Sequence, residues 1–464
     1  MTRSQSRLRR DALAILEAAL KAADAGNAVR RHLSVSGSRL KAGPVSIPLK
    51  EFDRVFLIGA GKASAQMAAA ARQVLGPLLA GGIIVTKYGH ARVAQALVPA
   101  ASRLVGTHGQ RSLPPITVIQ AGHPIPDDQG LMASRQIREL LKELNARDLL
   151  IVLISGGASA LLPAPVEPVT LLDKQQTTDL LLRAGANISQ LNAVRKHLSA
   201  LKGGMLAALA YPATTISLVL SDVVGDLLDV IGSGPTAPDP STFSDALAVI
   251  QKYKLTGRIP KTVRKRLQDG AACKLPETPK PGDPLFRNVH NVVVGSNRLS
   301  LEAAAGMGHA LGYRTLILSS TMQGETREVA RVHAQILREV QLSGHPIRRP
   351  ACILSGGETT VTVTGSGKGG RNQEFALAAA IEISGLTNAL VLSAGTDGTD
   401  GPTDAAGAIA TGDTLNRAAR LGLDARAHLS ANHAYPFFDA LDDLIRTGPT
   451  GTNVMDIHLL LAGS

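Results

Sequence analysis

The chain has 464 residues, more than one simple hydrophobic core supports, so two or three domains are expected. Tryptophan is absent and aromatic residues make up only 3%, so the core must be built from Ala, Leu, Val and Ile; two cysteines, Cys273 and Cys352, exclude a disulfide framework and fit a reducing, cytoplasmic setting. The net charge of +12 is spread along the chain without basic–aromatic interleaving, which argues against nucleic acid and favours small anions near clefts.

No apolar run reaches membrane-spanning length; the most apolar stretches, 149–155 and 215–220, are strand-sized. The opening MTRSQSRLRR is basic, but the segment behind it carries Asp11, Glu17, Lys21 and Asp24 and lacks the apolar core of a secretion signal. No membrane partner is expected. Ala, Leu and Ile at helical spacing predict a helix over 6–31. A strand at 55–58 runs into GAGKAS and an Ala-rich helix ending near residue 75. Strands at 81–86 and 117–120, a helix at 130–144 and a strand at 149–154 follow. Uncharged β-rich runs alternating with helices predict a parallel sheet covered on both faces. A long helical stretch over 171–209 and a strand at 215–220 complete this domain. Its last loop, 221–243, is rich in Gly, Pro and Asp, and the domain boundary is placed after it. Beyond a helical stretch at 244–269 and a Pro-rich loop at 273–284, a strand at 291–294 is expected to open a second α/β unit. Helix 299–311, strand 314–319, helix 325–342 and strand 351–354 continue it. TTVTVTG at 359–365 alternates and predicts an antiparallel strand, which makes the second sheet mixed. Helix 371–384, strand 390–393, helices near 411–421 and 433–440, and an edge strand at 456–461 finish the chain.

Ligands of parallel sheets sit beyond the carboxyl ends of the strands, where several glycine loops fall. In GAGKAS, Gly59 and Gly61 leave backbone N–H groups free to face an anion. Lys62, at the following helix start, opposes the helix dipole unless an anion lies near. The loop is neither GxxxxGK[ST] nor GxGxxG, and a plain strand–helix turn also fits it. SGGASALL offers Ser155, Gly156, Gly157 and Ser159 as a cradle for carboxylate or phosphate and does not form a nucleophile elbow. His123 in AGHPIPDDQG is either an acid–base group or a hydrogen-bonded loop residue. Asp222 and Asp226 flank Gly225 and suit either Mg2+ or turn chemistry, and Gly234 in GSGPT permits close approach by a ligand. No Cys/His set has zinc spacing. The densest constellation is Glu358, Lys368, Arg371, Asn372, Gln373, Glu374, Asp397, Asp400 and Asp404, interleaved with glycines. Arg371 at a helix start can fork onto a phosphate, and the carboxylates beyond the next strand can carry a metal. Orientation and neutralisation of charge are what phosphoryl transfer needs.

These motifs, in this order, resemble the glycerate 2-kinase family with a C-terminal MOFRL domain, whose members have also been labelled hydroxypyruvate reductases. The resemblance rests on GAGKA at 59–63, GHPIPD at 122–127, SGGASALL at 155–162, NAVRKHLSALKGG at 192–204, SDVVGD at 221–226, GSGPT at 232–236, GSN at 295–297, SGGET at 355–359, GKGGRNQE at 367–374 and GTDGTDGPTDAAG at 395–407. It covers nearly the whole chain. The family form has Thr where Ala158 stands here, so one hydroxyl contact is absent. The resemblance implies two α/β domains: 1–243, with a Rossmann-like parallel sheet and helices on both faces, and 244–464, with a mixed sheet and the MOFRL-like region over about 348–455. The active site is implied in the interdomain cleft. The implied reaction is ATP-dependent, Mg2+-requiring phosphorylation of D-glycerate to 2-phosphoglycerate, with Lys62 and Arg371 as the catalytic pair and Asp397 as base or metal-orienting carboxylate. Gly59, Gly61, Ser155, Gly156, Gly157, Ser159, Arg195, Asn297, Lys368 and Asn372 would hold substrate or phosphate. Gly234, Glu358, Gly369, Gly370 and Asp404 would hold the nucleotide, and Asp222, Asp226 and Asp397 the metal. The expected partners are a small anionic hydroxy acid and ATP, with monomer and homodimer both open. The rivals are an NAD(P)H-dependent hydroxypyruvate reductase, a kinase for another small hydroxy acid, and a non-catalytic anion-binding protein. Against the reductase, GAGKAS lacks the full dinucleotide fingerprint, and Thr86, Lys87 and Tyr88 stand where a ribose-binding acid belongs.

Overall fold

The computed structural model describes residues 3–90 and 116–464. The chain divides into two compact units, one made of Ala25–Ser221 and Asp226–Val294, the other of Met1–Asp24, Asp222–Gly225 and Gly295–Ser464. The helix predicted over 6–31 is two helices, α1 (Arg3–Ala23) and α2 (Ala25–His32), and they belong to different units. Among the described residues no helix is long and apolar enough to cross a membrane.

The unit that starts at Ala25 opens with an antiparallel meander, β1 (Leu33–Ser36), β2 (Arg39–Ala42) and β3 (Val45–Pro48), which periodicity did not single out. There follow β4 (Arg54–Ala60), α3 (Ser64–Leu75), β5 (Leu79–Lys87), β6 (Ile116–Ala121), α4 (Asp128–Lys142), β7 (Asp148–Ile154), α5 (Ala158–Leu161), α6 (Leu171–Arg183), α7 (Ile188–His197), α8 (Met205–Ala210), β8 (Thr214–Leu220), α9 (Phe243–Lys252), α10 (Lys261–Ala271) and β9 (Val289–Gly295). Six strands form one sheet in the order β6-β5-β4-β7-β8-β9, with every pairing from β6 to β8 parallel. All of β7 is buried, as a central strand covered on both faces must be. The carboxyl ends of β6, β5, β4 and β7 therefore share one edge. Chain order reverses between β4 and β7, where such sheets leave a crevice.

Two expectations change here. The stretch 171–209 is three helices, because Gly185 (φ +79), Gly203 (φ +57) and Gly204 (φ +79) adopt left-handed backbone between them. Thr170 and Asn187 start α6 and α7 with reciprocal capping boxes. The strand expected to open the second domain is β9, the last strand of this first sheet, and the units divide after Val294, where the sequence had suggested a boundary after 243.

The other unit contains α11 (Asn297–Ala310), β10 (Arg314–Met322), α12 (Thr326–Leu342), β11 (Ala351–Gly357), α13 (Arg371–Glu382), β12 (Ala389–Gly395), β13 (Gly407–Thr411), α14 (Thr414–Arg420), α15 (Ala425–Ser430), α16 (Ala434–Ala440), β14 (Leu444–Ile445) and β15 (Asp456–Ala462). Its sheet runs β10-β11-β15-β12-β13-β14, parallel between β10 and β11 and antiparallel elsewhere. It is mixed, but not through 359–365, which forms no regular strand. Of that segment's N–H groups, Thr360 donates to Gly324 O (2.9 Å) and others go to side chains: Thr362 to Glu325, and Thr364 and Gly365 to Asn432 Oδ1 at 2.9 and 3.0 Å. Nor is β15 an edge strand. It lies between β11 and β12 with all 7 residues buried. Alternate residues of the sheet face two cores. Ile353, Val391 and Leu460 pack with Phe375 and Phe437, while Leu354, Leu392 and Leu459 pack with Leu8 and Ile15 of α1. Cys352 is buried in the second core, where burial pushes its thiol up to about 12 and keeps it inert.

Candidate active site

β4 ends in a turn tied to the loop after β7. Lys62 N–H donates to Gly156 O (2.9 Å) and Ala63 N–H to Ser155 Oγ (3.1 Å), and Gly61 N–H reaches Val85 O (3.2 Å). A Cβ on Gly61, at φ +136, would stand 2.1 Å from Ser155 Oγ, so only glycine fits there. The N–H groups of the GAGK turn are thus taken inside the protein. Among the described residues those of Gly156 and Gly157 find no acceptor, so the SGG loop is where backbone donors remain free. Gly59 lies in β4 itself, with its backbone against Ile84 and Leu153.

Gly157, at φ +88, passes beneath the His123 ring: a Cβ there would lie 2.9 Å from His123 Cδ2 and 3.5 Å from Lys62 Cγ. Burial first, then the charges of Lys62, Lys87 and His90, hold the His123 imidazole down at about 4. Among the described residues no carboxylate pairs with Lys62 or Lys87. A basic group of this kind at the carboxyl edge of a parallel sheet, with free N–H groups beside it, suits a phosphate or carboxylate.

Further along the same loop, Ser159 Oγ accepts from Arg195 Nη2 (2.5 Å) and bonds Ser233 Oγ (2.8 Å). Ser233 donates to Asn192 Oδ1 (2.9 Å), so Ser159 is the donor to Ser233. Lys202 Nζ holds Ser159 O (2.6 Å) and Leu162 O (3.0 Å), and Lys174 Nζ bonds Pro163 O. Three cations thus grip residues 159–163 with no carboxylate partner among the described residues. Burial, reinforced by the neighbouring cations, pushes Lys174 and Lys202 well below the usual lysine range. Sequence reasoning did not single out Lys174, Lys202 or Lys87 as site residues, although Lys202 stands directly before Gly203 and Gly204 in the quoted KGG. Gly234, at φ +63, packs against the Asp229 backbone.

In the C-terminal unit Arg371 opens α13. Its Nε and Nη2 donate to Asp456 (2.6 and 3.1 Å), and Nη1 lies 2.9 Å from Glu358 Oε1. Burial opposes the guanidinium charge, but Asp456, Glu358 and Asp400 outweigh it and hold Arg371 above its ordinary range. With three of a guanidinium's N–H donors so engaged, others remain for a ligand. Asn372 Nδ2 also donates to Asp456 (2.9 Å). Asp456 was not predicted, because it reads as the first residue of an apolar strand. Asp400 accepts the N–H groups of Asn372 (3.0 Å) and Gln373 (2.8 Å), capping α13. Burial, only partly offset by those N–H groups, pushes Asp400 up to about 7.

Arg371, Asp397, Asp400, Gly369 and Gly370 line a pocket of about 640 Å3, large enough for much of a nucleotide. Asp397 Oδ1 accepts from Thr399 N–H (3.0 Å) and Oγ1 (3.1 Å), and Oδ2 is not engaged among the described residues. Other predicted residues are committed elsewhere. Lys368 Nζ lies 4.1 Å from the Tyr435 ring centroid, and Asp404 takes Tyr435 Oη (2.7 Å) and Arg446 Nε (3.2 Å) at the surface. Asn297 Nδ2 braces Val454 O (2.9 Å) and Asp456 O (2.8 Å). Asp222 groups with the C-terminal unit and Asp226, at φ +54, with the other. Among the described residues no three His, Cys, Asp or Glu side chains gather around a metal position. An Mg2+ ion held mainly by substrate phosphates needs only one or two carboxylates, and Asp397, with one uncommitted oxygen, has the chemistry to be one of them.

Residues 11–268 match the family described as a domain of unknown function, DUF4147, and residues 351–456 match the MOFRL family. The chain is 39% identical over 461 residues to a glycerate 2-kinase of Pyrococcus horikoshii, covering 98% of each. It is 40% identical over 412 residues to a D-glycerate 2-kinase of Thermotoga maritima, covering 89% of this chain and 91% of that one. An Agrobacterium vitis protein named "Putative hydroxypyruvate reductase" is 42% identical, covering 90% of this chain and 89% of that one. A crystal structure of a P. horikoshii protein matches with TM-score 0.86 at 39% identity, covering 98% of this chain and 99% of that chain. One of glycerate kinase from T. maritima matches with TM-score 0.84 at 38% identity, covering 98% and 100%. Similarity at this level along both units shows that the chain belongs to the glycerate 2-kinase family with a C-terminal MOFRL domain.

Proposed function

We propose that this chain is a glycerate 2-kinase, transferring the terminal phosphoryl group of ATP to the 2-hydroxyl of D-glycerate with Mg2+. The observation that carries the reading is the whole-length similarity to proteins named as glycerate 2-kinases. The residues are consistent with it. Lys62 and the free N–H groups of Gly156 and Gly157 meet negative charge on the transferring group or on the substrate carboxylate, and the remaining N–H donors of Arg371 add direction. Lys62 and Arg371 are read as serving one reaction, and the first sheet as Rossmann-like. Asp397 would hold the metal, which supplies neutralisation of charge on phosphate oxygens when bound.

The A. vitis relative's name favours a second reading, a reductase acting on hydroxypyruvate. Against it, β5 ends at Lys87, where a dinucleotide site would carry an acid for the ribose. ADP release is measured with a panel of small hydroxy acids, beside NADH oxidation with hydroxypyruvate. ADP should appear only with an acceptor acid present, fastest with D-glycerate. NADH oxidation without ATP would replace the kinase reading, and faster turnover of another acid would replace the substrate.

A further inference from the structure

A kinase acting on an alcohol must remove the hydroxyl proton as the new O–P bond forms. His123 follows β6 at the carboxyl edge of the first sheet. Its half-buried ring stands over Gly157, beside the Lys62 side chain, and no hydrogen-bond partner of either ring nitrogen is found among the described residues. The charged groups facing it are Lys62 from the β4 turn, and Lys87 and His90 from the end of β5 and the turn after it. Asp127, on the same loop, is committed to Tyr88 Oη (2.9 Å) and Gly130 N–H (3.0 Å). The ring is therefore an uncommitted acceptor lying where the free SGG donors and Lys62 converge.

We propose that His123 is the general base of the transfer. One ring nitrogen takes the proton of the acceptor hydroxyl as that oxygen bonds to the terminal phosphorus. The bond from phosphorus to the bridging oxygen breaks, the leaving nucleoside diphosphate keeps the electron pair, and the imidazolium later returns its proton to water. This rests on the kinase reading above. The surroundings suit the role. Desolvation and the adjacent cations keep the ring neutral at physiological pH, with a lone pair available. A base of about that strength matches the carboxylate that protein kinases use for the same step. An anionic substrate among Lys62, Lys87 and His90 offsets their charge and raises the ring's proton affinity when the base is needed.

The test compares wild type with His123→Gln and His123→Ala. Both variants should lose about 100-fold or more in kcat, with KM for ATP and for D-glycerate changed less than about threefold. Added imidazole should restore part of the His123→Ala activity. The wild-type kcat should fall as pH drops through the ring's pKa in the complex, because the protonated ring cannot accept, and His123→Gln should lack that limb. A His123→Gln enzyme within about threefold of wild-type kcat overturns the base role and leaves the kinase reading standing. A wild type that transfers to no hydroxy acid overturns both. If the variants fold poorly, ring-nitrogen NMR of the wild type decides: a His123 midpoint that shifts on adding ATP with D-glycerate supports the proposal, and a midpoint that does not move contradicts it.

Discussion

Lys62 and Arg371 are both cations at helix starts, but their surroundings differ. Arg371 is clamped by the buried Asp456 and by Glu358, so it is a rigid donor whose charge is largely offset locally. Lys62 lies beside His123, on which Lys87 also acts, and its charge is available to an incoming anion. Lys62→Met should therefore lower kcat by about 100- to 1000-fold, the loss seen when one donor to developing charge is removed, as read by steady-state kinetics. An unchanged kcat would take Lys62 out of the chemistry. Asp400 makes a separate prediction about stability. Its folded pKa, near 7, lies above the usual 3.8, so between those values the folded chain holds a proton that the unfolded chain has lost. Its stabilising share is complete below the lower value and disappears as pH rises through the upper one. From pH 5 to 8 the wild type should lose urea resistance relative to Asp400→Asn, and parallel profiles would contradict this.

At the scale of elements, the site is a set of strand ends joined by loops that only glycine can form. Gly61→Ala would press a methyl group onto Ser155 Oγ in a backbone conformation that other residues rarely adopt. It should destabilise the unit by about 1–3 kcal/mol in urea unfolding, whereas Gly257→Ala, with open space around it, should be near neutral. A neutral Gly61→Ala would mean the two loops are not held as described. The strands of the first sheet were legible because each holds a short, uncharged β-rich run, and glycine follows within two residues of the ends of β4, β6 and β7. The segment 359–365 was misread because alternation measures only which side chains face alike. It does not reveal that Glu325 and Asn432 would take the N–H groups a neighbouring strand should have received. The place of β15 was also hidden, since nothing local to 456–462 says that it inserts between β11 and β12. Asp456 went unnoticed for the same reason, as its role depends on a neighbour 85 positions away.

For the molecule as a whole, the chain passes between its two units at residues 24/25, 221/222, 225/226 and 294/295. Composition shifts along a sequence cannot show such crossings. The Pro- and Gly-rich loop before 243 looked like a boundary, yet Phe243, Ile250 and Leu267 beyond it pack with Leu181, Leu191 and Val194 before it. Loop chemistry was more legible than partition, because a cation, glycines and a carboxylate in one short stretch carry their meaning locally. On the function proposed above, these loops direct a phosphoryl group to one hydroxyl of a small acid. Phosphorus NMR of the reaction of the purified chain with ATP, Mg2+ and D-glycerate tests that most directly. The account predicts 2-phosphoglycerate and ADP in equal amounts; 3-phosphoglycerate, or no phosphorylated acid at all, would contradict it.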